Sequence, residues 1–128
     1  MSEEMKEIIA VVRPGKMTAT KKALDLLGHP ALTAYPVLGR GKQRGFMYSQ
    51  DPGAISPEVL GQARTRFMDY VPKRWISVVV PASRAERVIR AIVQANRTGS
   101  CGDGRVFVCP VERAVRIRTG EQGGEALE

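Results

Sequence analysis

The sequence has few of the residues from which catalytic and metal centres are built. One histidine and two cysteines occur among its 128 residues. This excludes a histidine-rich metal site, and a Ser-His-Asp triad would need His29 as its base. His29 stands in the sequence Gly-His-Pro, which favours a turn residue. Cys101 and Cys109 match no zinc or redox spacing, so we expect free thiols in a reducing compartment.

Long apolar runs and a targeting signal are also absent. No run is long enough to cross a bilayer, and the acidic start MSEEMKE lacks the basic and apolar regions of a signal peptide. We therefore expect a single cytoplasmic domain spanning residues 1–128. Basic residues outnumber acidic ones by 20 to 13, giving a formal net charge of +7. That charge indicates an anionic partner: a nucleotide, a nucleic acid or an acidic protein surface.

Hydrophobic periodicity predicts an alternation of strands and helices. The clearest helical pattern follows Ser83, which has the spacing of a capping box with Glu86. Pro36 predicts that the second strand lies at a sheet edge. The predicted strands are 6–14, 31–39, 74–81, 105–110 and a short fifth at 112–118, with a first helix at 16–27.

The order β-α-β-loop-β-α-β predicts an α+β fold of the ferredoxin-like, split βαβ type (βαββαβ). Two helices would cover one face of the sheet. The other face is bare and contains many apolar residues, so we expect it to be buried against another subunit. The connection at residues 39–72 is long for a compact domain, which is typical of a functional or disordered segment.

Three segments combine glycine with basic residues. In TGSCGDGR (98–105), glycines let backbone N–H groups approach a phosphate and Arg105 adds charge; a plain glycine-rich turn is the alternative. In RIRTG (116–120), Arg116 and Arg118 would share one strand face and bind phosphate, or form a solvated basic edge. GRGKQRG (39–45) could bind an anion or be a solvated charged loop.

Two further segments bear on the alternatives. RGFMY (44–48) loosely resembles the RNA-reading motif of RRM domains, but that motif needs aromatic residues along a strand, and only 5% of this chain is aromatic. Lys73 could meet a bound carboxylate or be an exposed residue at a strand start. No candidate nucleophile has an evident general base beside it, so the phosphate-binding segments suggest a sensor rather than an enzyme.

Taken together, these segments resemble the PII nitrogen-regulatory signalling family. The resemblance covers nearly the whole chain and rests on KEIIAVVRP, VLGRGKQRG, VPK, TGSCGDGRVFV and RIRTGE. It implies a trimer of ferredoxin-like subunits that binds ATP or ADP between neighbours. Its parts would be a T-loop at about 39–72, a phosphate-binding loop at about 97–105 and a C-terminal segment at 116–121.

The resemblance also implies ligand positions. Arg105 replaces the family's usual lysine, and Ser77 stands where many members have glutamate. Arg116 and Arg118 would reach the phosphates from the next subunit. The implied ATP and ADP site consists of Val11, Thr33, Gly41, Lys42, Val79, Gly102, Asp103, Gly104, Arg105, Arg116 and Arg118. The implied 2-oxoglutarate site, filled together with Mg²⁺ and ATP, consists of Arg13, Gln43, Gly45 and Lys73, with Gln43 as the metal ligand.

The T-loop distinguishes this chain within the family. It carries an insertion around DPGAISPEVLGQARTR and has no match for the tyrosine that some members have uridylylated, so uridylylation is not expected. The longer loop and GRGKQRG are similar to the nitrogenase-inhibiting branch, in particular to the second of its two paralogues. This implies a nitrogen-status sensor that regulates the dinitrogenase component, as a homotrimer or with a paralogous subunit, without nucleic acid or membrane insertion. Another client, such as an ammonium channel or a biosynthetic enzyme, and an RNA-binding module are the alternatives.

Overall fold

The computed structural model describes residues 3–29, 31–40 and 70–127, which form a four-stranded sheet with two helices on one face. The elements are β1 (Met5–Val12), a 3-10 helix (Pro14–Lys16), α1 (Met17–Leu26), β2 (Thr33–Gly39), β3 (Val71–Pro81), α2 (Ala82–Asn96), β4 (Arg105–Val111) and a second 3-10 helix (Gly123–Leu127). The strand order is β2-β3-β1-β4, with every neighbouring pair antiparallel. The predicted α+β, ferredoxin-like βαββαβ fold is confirmed, and β2 with Pro36 lies at an edge.

The hydrophobic core lies between the sheet and the two helices. Alternate residues of β1 and β3 point into it, and the apolar stripes of α1 and α2 cover them. Leu24, on the apolar stripe of α1, is fully buried. Core residues at most 3% exposed are Ile8, Ala10, Val12, Leu24, Ile76, Val78, Val80, Val88 and Ile92.

The opposite face of the sheet carries no helix in the described part of the chain. We call it the open face; its apolar residues include Ile9, Val11, Tyr35, Trp75 and Phe107. Val11 lies opposite Trp75, and Ile9 lies opposite Phe107. Tyr35 and Trp75 stack with ring centroids 5.9 Å apart, and Tyr35 remains 47% exposed. This is the surface for which the sequence predicts a subunit contact.

Helix α2 begins without the predicted capping box. Strand β3 runs as far as Pro81, and the helix follows directly at Ala82 with no side-chain cap. Ser83 therefore lies inside the first turn, where it cannot serve as the N-cap. Its N–H instead donates to Glu3 Oε1 at 2.8 Å. The hydrogen bonds with Ser83 lower the pKa of Glu3.

The predicted fifth strand at residues 112–118 is wrong. Val115 makes only an isolated bridge with Gln122, and the chain turns back on itself between them. The turn is closed by the Gly120 N–H, which donates to the Arg116 carbonyl at 2.7 Å. Gly120 has φ 75°, which favours glycine. Because Arg116 and Arg118 are not on a strand, the shared strand face predicted for them is also wrong.

One strand reaches further into the predicted T-loop than expected. β2 ends at Gly39, as predicted, whereas β3 begins at Val71, three residues earlier than predicted, so both ends of the 39–72 segment belong to strands. The remainder, residues 41–69, lies outside the described residues. No helix among the described residues is long and apolar enough to cross a membrane.

Candidate functional site

The loop between α2 and β4 is folded around the carboxylate of Asp103. The N–H groups of Thr98 and Gly99 donate to Oδ2 at 2.8 and 3.0 Å, and the Thr98 hydroxyl donates to Oδ1. The hydrogen bond from the Thr98 hydroxyl leads the effects that hold the pKa of Asp103 far below its ordinary value, and burial opposes it. The ionised carboxylate therefore acts as the centre of the loop.

Glycine is needed where the loop meets the sheet. Gly102 and Gly104 have φ values of 92° and 112°, in the region that side chains disfavour. A Cβ on Gly104 would lie 2.0 Å from the Val11 carbonyl oxygen. The loop backbone thus passes β1 at a distance that only glycine permits, and it delivers Arg105 to the start of β4.

Two cations from neighbouring strands hold this loop. Arg13, just beyond β1, donates from Nη1 to Asp103 Oδ1 at 2.7 Å and from Nη2 to the Cys101 carbonyl at 3.0 Å. Lys73, in β3, donates from Nζ to the Gly102 carbonyl at 2.7 Å. The structure therefore brings two residues of the predicted 2-oxoglutarate site into contact with the predicted phosphate-binding loop.

Lys73 is the buried member of this group, with 9% of its surface exposed. Burial lowers the pKa of its ammonium group, and the nearby charge of Arg13 lowers it further. The Asp103 carboxylate acts in the opposite direction. Two like charges beside a single carboxylate make this a favourable place for a second anion.

The C-terminal segment places Arg116 in a pair of its own. Arg116 donates from Nη1 to Glu121 Oε1 at 2.8 Å and from Nη2 to the Glu125 carbonyl at 2.6 Å. Arg118 lies in the turn and is exposed. Within one subunit, Arg116 is thus paired with its own segment, which leaves its predicted contact with a neighbouring subunit's nucleotide as a prediction.

The residues predicted to line the adenine pocket lie on the open face of the sheet. The alternation of β1 puts Val11 there, Val79 lies opposite Glu7, and Thr33 lies opposite Ser77. Ser77 donates from Oγ to Glu7 Oε2 at 2.6 Å. The carboxylate of Glu7 therefore lies beside Ser77, the position where the sequence lacks the glutamate of many family members.

Glu7 is a residue that the sequence prediction missed. The alternation along β1 puts it on the same face as Val11, and this signal is present in the sequence. The contact with Ser77, however, depends on the register between β1 and β3, which the local pattern does not supply.

Four predicted ligand residues, Gly41, Lys42, Gln43 and Gly45, lie outside the described residues. The predicted magnesium contact of Gln43 lies there as well. Among residues 3–29, 31–40 and 70–127, no cluster of three His, Cys, Asp or Glu side chains could hold a metal ion.

Sequence comparison identifies relatives over nearly the whole chain. The family model described as "Nitrogen regulatory protein P-II" matches residues 5–121. The "Nitrogen fixation nifHD region GlnB-like protein 2" of Methanothermococcus thermolithotrophicus is 46% identical over 126 residues, which cover 96% of this chain and 98% of the relative.

Solved structures of the same family share the fold. The citrate-bound PII protein of Arabidopsis thaliana has a TM-score of 0.72 and 29% identity, over 97% of this chain and 92% of the other. The ATP complex of B. subtilis GlnK has a TM-score of 0.75 and 29% identity, over 99% of both chains. The family predicted from the sequence motifs is confirmed: the chain belongs to the nitrogen regulatory protein P-II family, in its nitrogen-fixation-associated branch.

Proposed function

We propose that the protein senses nitrogen status by binding ATP or ADP, and 2-oxoglutarate when Mg-ATP is bound, and that it regulates nitrogenase through its T-loop. The observation that carries the proposal is the Asp103-centred loop, with its glycine backbone held beside Arg13 and Lys73. A glycine-rich turn next to two cations suits two anions side by side, phosphates at the loop and a carboxylate at the cations. Adjacent sites would let each ligand influence the binding of the other.

The nucleotide would lie across the Asp103-centred loop and the open face of the sheet. Its phosphates would face Gly102, Gly104 and Arg105. Its adenine would lie along Val11, Thr33 and Val79, with the Glu7–Ser77 pair at the polar edge of the base. The B. subtilis relative was solved as an ATP complex, which supports nucleotide binding.

A trimer would complete the nucleotide site. The open face is apolar and Tyr35 and Phe107 on it are each 47% exposed, which suits burial against further copies of the chain. Arg116 and Arg118 of the neighbouring copy would then supply the remaining charges for the phosphates. The guanidinium group favours this role because it binds phosphate oxygens bidentately.

2-Oxoglutarate would bind next to the nucleotide through Arg13 and Lys73. Each side chain has hydrogen-bond donors beyond those that hold the loop, since guanidinium has five and ammonium three. The Arabidopsis relative was solved with citrate, a polycarboxylate, which supports the binding of a carboxylate ligand. Mg²⁺ commonly takes few protein ligands together with nucleotide phosphates, which suits Gln43 as a protein ligand, with Gly45 nearby in the T-loop.

The two ligands would reach the target through the base of the T-loop. Lys73 lies opposite Val37, so a ligand at Lys73 would lie beside both of the strands that lead into and out of the loop. The T-loop would dock on the dinitrogenase component when 2-oxoglutarate is scarce and be withdrawn when it is plentiful. By linkage, a tenfold change in target affinity needs about 1.4 kcal/mol of differential ligand binding.

Nitrogenase is favoured as the client by the name of the Methanothermococcus relative, which refers to the nifHD region. An ammonium channel or a biosynthetic enzyme is the alternative client. Retention of the dinitrogenase component on the immobilised protein, and its release by 2-oxoglutarate with Mg-ATP, would support nitrogenase. Failure of purified dinitrogenase component to bind under every ligand condition would contradict it.

Calorimetric titration tests the ligand part of the proposal. We expect ATP and ADP to bind, and 2-oxoglutarate to bind in the presence of Mg-ATP but not of Mg-ADP. Gln43→Ala should abolish the 2-oxoglutarate signal and leave ADP binding nearly unchanged, because Gln43 is assigned to the 2-oxoglutarate and Mg²⁺ site only. A protein that binds neither nucleotide would contradict the proposed function.

A further inference from the structure

We propose that Arg13 and Lys73 are positioning residues for the phosphate-binding loop, which they hold in its nucleotide-binding shape through Asp103 and the Gly102 carbonyl, with no carboxylate ligand required. The inference rests on the nucleotide site proposed above. It gives the two cations a second role that is separate from contact with 2-oxoglutarate. We call the three hydrogen bonds from these cations to the loop the clamp.

The clamp fixes the loop at three consecutive residues from two directions. Arg13 reaches Cys101 and Asp103 from the end of β1, and Lys73 reaches Gly102 from β3. The distances of 2.7, 3.0 and 2.7 Å are those of well-formed hydrogen bonds. A Cβ on Gly102 would lie 3.3 Å from Arg13 Nη2, so the guanidinium also packs closely on the loop backbone.

Side-chain packing gives the loop little support on its helix side. A cavity of about 260 Å³ lies there, between the end of α2 and the start of β4. Its lining includes Val12, Ile92, Asn96, Asp103, Gly104 and Val106. Because the loop borders this pocket and few packed side chains on its helix side, its position depends on the clamp, on the close approach of Gly104 to β1 and on the hydrogen bonds within the loop.

The charge of Asp103 allows two explanations of the clamp to be distinguished: positioning of the loop, and electrostatic attraction of the nucleotide phosphates. Neutralising Asp103 makes the site more positive, so electrostatic attraction alone would tighten the binding of a nucleotide phosphate. Asp103→Asn also replaces one of the two carboxylate oxygens that accept hydrogen bonds from Arg13, Thr98 and Gly99 with an NH2 group, which donates. If the loop's shape matters more, the nucleotide will bind more weakly. The two explanations therefore predict changes of opposite sign in nucleotide affinity for Asp103→Asn.

The clamp also explains how the two ligand sites could be coupled without direct contact. A carboxylate bound at Arg13 and Lys73 can use their remaining donors while the loop stays held. It would also reduce the repulsion between the two cations. Each ligand would then favour the same arrangement of cations and loop, and so would strengthen the binding of the other.

The test is ADP titration without 2-oxoglutarate, using Asp103→Asn, Lys73→Met and Lys73→Arg. We expect Asp103→Asn and Lys73→Met each to weaken ADP binding at least about tenfold (~1.4 kcal/mol). Lys73→Arg should recover most of the affinity, because it can still donate to the Gly102 carbonyl. Lys21→Met, which removes an exposed cation of α1, should leave the affinity unchanged and so control for net charge.

ADP binding to Asp103→Asn that equals or exceeds that of the wild-type protein would overturn the inference. Unchanged binding by Lys73→Met would do the same, and this second variant stands if Asp103→Asn fails to fold. In either case wild-type protein that binds ADP leaves the proposed nucleotide function intact. Wild-type protein that binds no nucleotide would overturn the proposed function, and the inference with it.

Discussion

Ser77 donates a 2.6 Å hydrogen bond to the carboxylate of Glu7, so two adjacent strands present one polar pair on the open face of the sheet. Ser77 has Thr33 on its other side, and Glu7 lies opposite Val79. One carboxylate oxygen of Glu7 accepts from Ser77, and a carboxylate has acceptor capacity beyond one hydrogen bond. In the proposed nucleotide site, the amino group of the adenine base could therefore donate a hydrogen bond to this pair.

Glu7→Ala should weaken ATP binding and reduce the preference for ATP over GTP. The exocyclic amine of adenine can donate to the carboxylate, whereas guanine places a carbonyl oxygen at that position, which the carboxylate would repel. We expect a loss of ~1.5–3 kcal/mol in ATP affinity, the scale of a hydrogen bond to a charged group. Competition titrations of ATP against GTP would measure this loss, with Glu86→Ala, at an exposed position of α2, as the control. An unchanged ratio of ATP affinity to GTP affinity would show that Glu7 does not contact the base.

Arg116→Ala should weaken ATP binding by ~1.5–3 kcal/mol, the scale of one charge-assisted hydrogen bond. Because Arg116 also pairs with Glu121, the matched control is Glu121→Gln, which disturbs the same pair and keeps the guanidinium. If Arg116 serves only its own segment, the two variants will bind ATP equally well. Calorimetry on both variants therefore decides whether the guanidinium itself reaches the nucleotide.

Gly104→Ala should disrupt the loop, because its Cβ would lie 2.0 Å from the Val11 carbonyl oxygen at a φ of 112°. Relief of that clash requires the loop and β1 to separate, and we expect a cost of at least ~2 kcal/mol in the free energy of unfolding. Urea denaturation measures this cost. The control is Gly15→Ala, since a Cβ on Gly15 meets nothing within 4 Å. Equal stability of the two variants would contradict the close approach of the loop to β1.

The stabilisation that comes from Asp103 should depend on pH in acid. The pKa of Asp103 is lower in the folded protein than the ordinary aspartate value of about 3.9. Its contribution is therefore fully present above that ordinary value and is lost as the pH falls through the lower, folded value. The difference in unfolding free energy between wild type and Asp103→Asn should be constant from about pH 7 to 5 and shrink below about pH 4.

Urea denaturation at a series of pH values would measure this difference, with Asp25→Asn, at an exposed position of α1, as the control. A difference that grows towards acid pH would show that the folded protein does not favour the ionised carboxylate of Asp103.

Local pattern was sufficient to predict most of the fold. The apolar stripe of α1 that includes Leu24 and the alternation of β1 are each determined within a few residues, and the order of elements leads to the βαββαβ arrangement. The family was evident because its motifs, such as TGSCGDGRVFV, are short and contiguous. The predicted strand at 112–118 failed for the same reason: AVRIR alternates locally, but a strand needs a partner, and the glycines that follow turn the chain back.

The site was less predictable than the fold because its contacts join distant parts of the chain. Arg13 and Asp103 are 90 residues apart, and Ser77 and Glu7 are 70 apart. Neither contact follows from spacing, since each depends on the register of β1 with its neighbours. Motif analysis identified Arg13, Lys73 and Asp103 separately, but could not show that the first two hold the third. The predictions for Gly41, Lys42, Gln43 and Gly45 stay predictions.

The stacked pair of Tyr35 and Trp75 supplies a spectroscopic reporter. Trp75 is the only tryptophan in the sequence, so the intrinsic fluorescence of the protein above the tyrosine emission comes from one position in the sheet. That position lies two residues from Lys73 and directly opposite Val11. A purine arriving beside Val11, a carboxylate arriving at Lys73 and a second subunit covering the stacked rings would each change the surroundings of the same indole. Ligand binding and assembly of the unlabelled, unmodified protein can therefore be followed through a single native fluorophore.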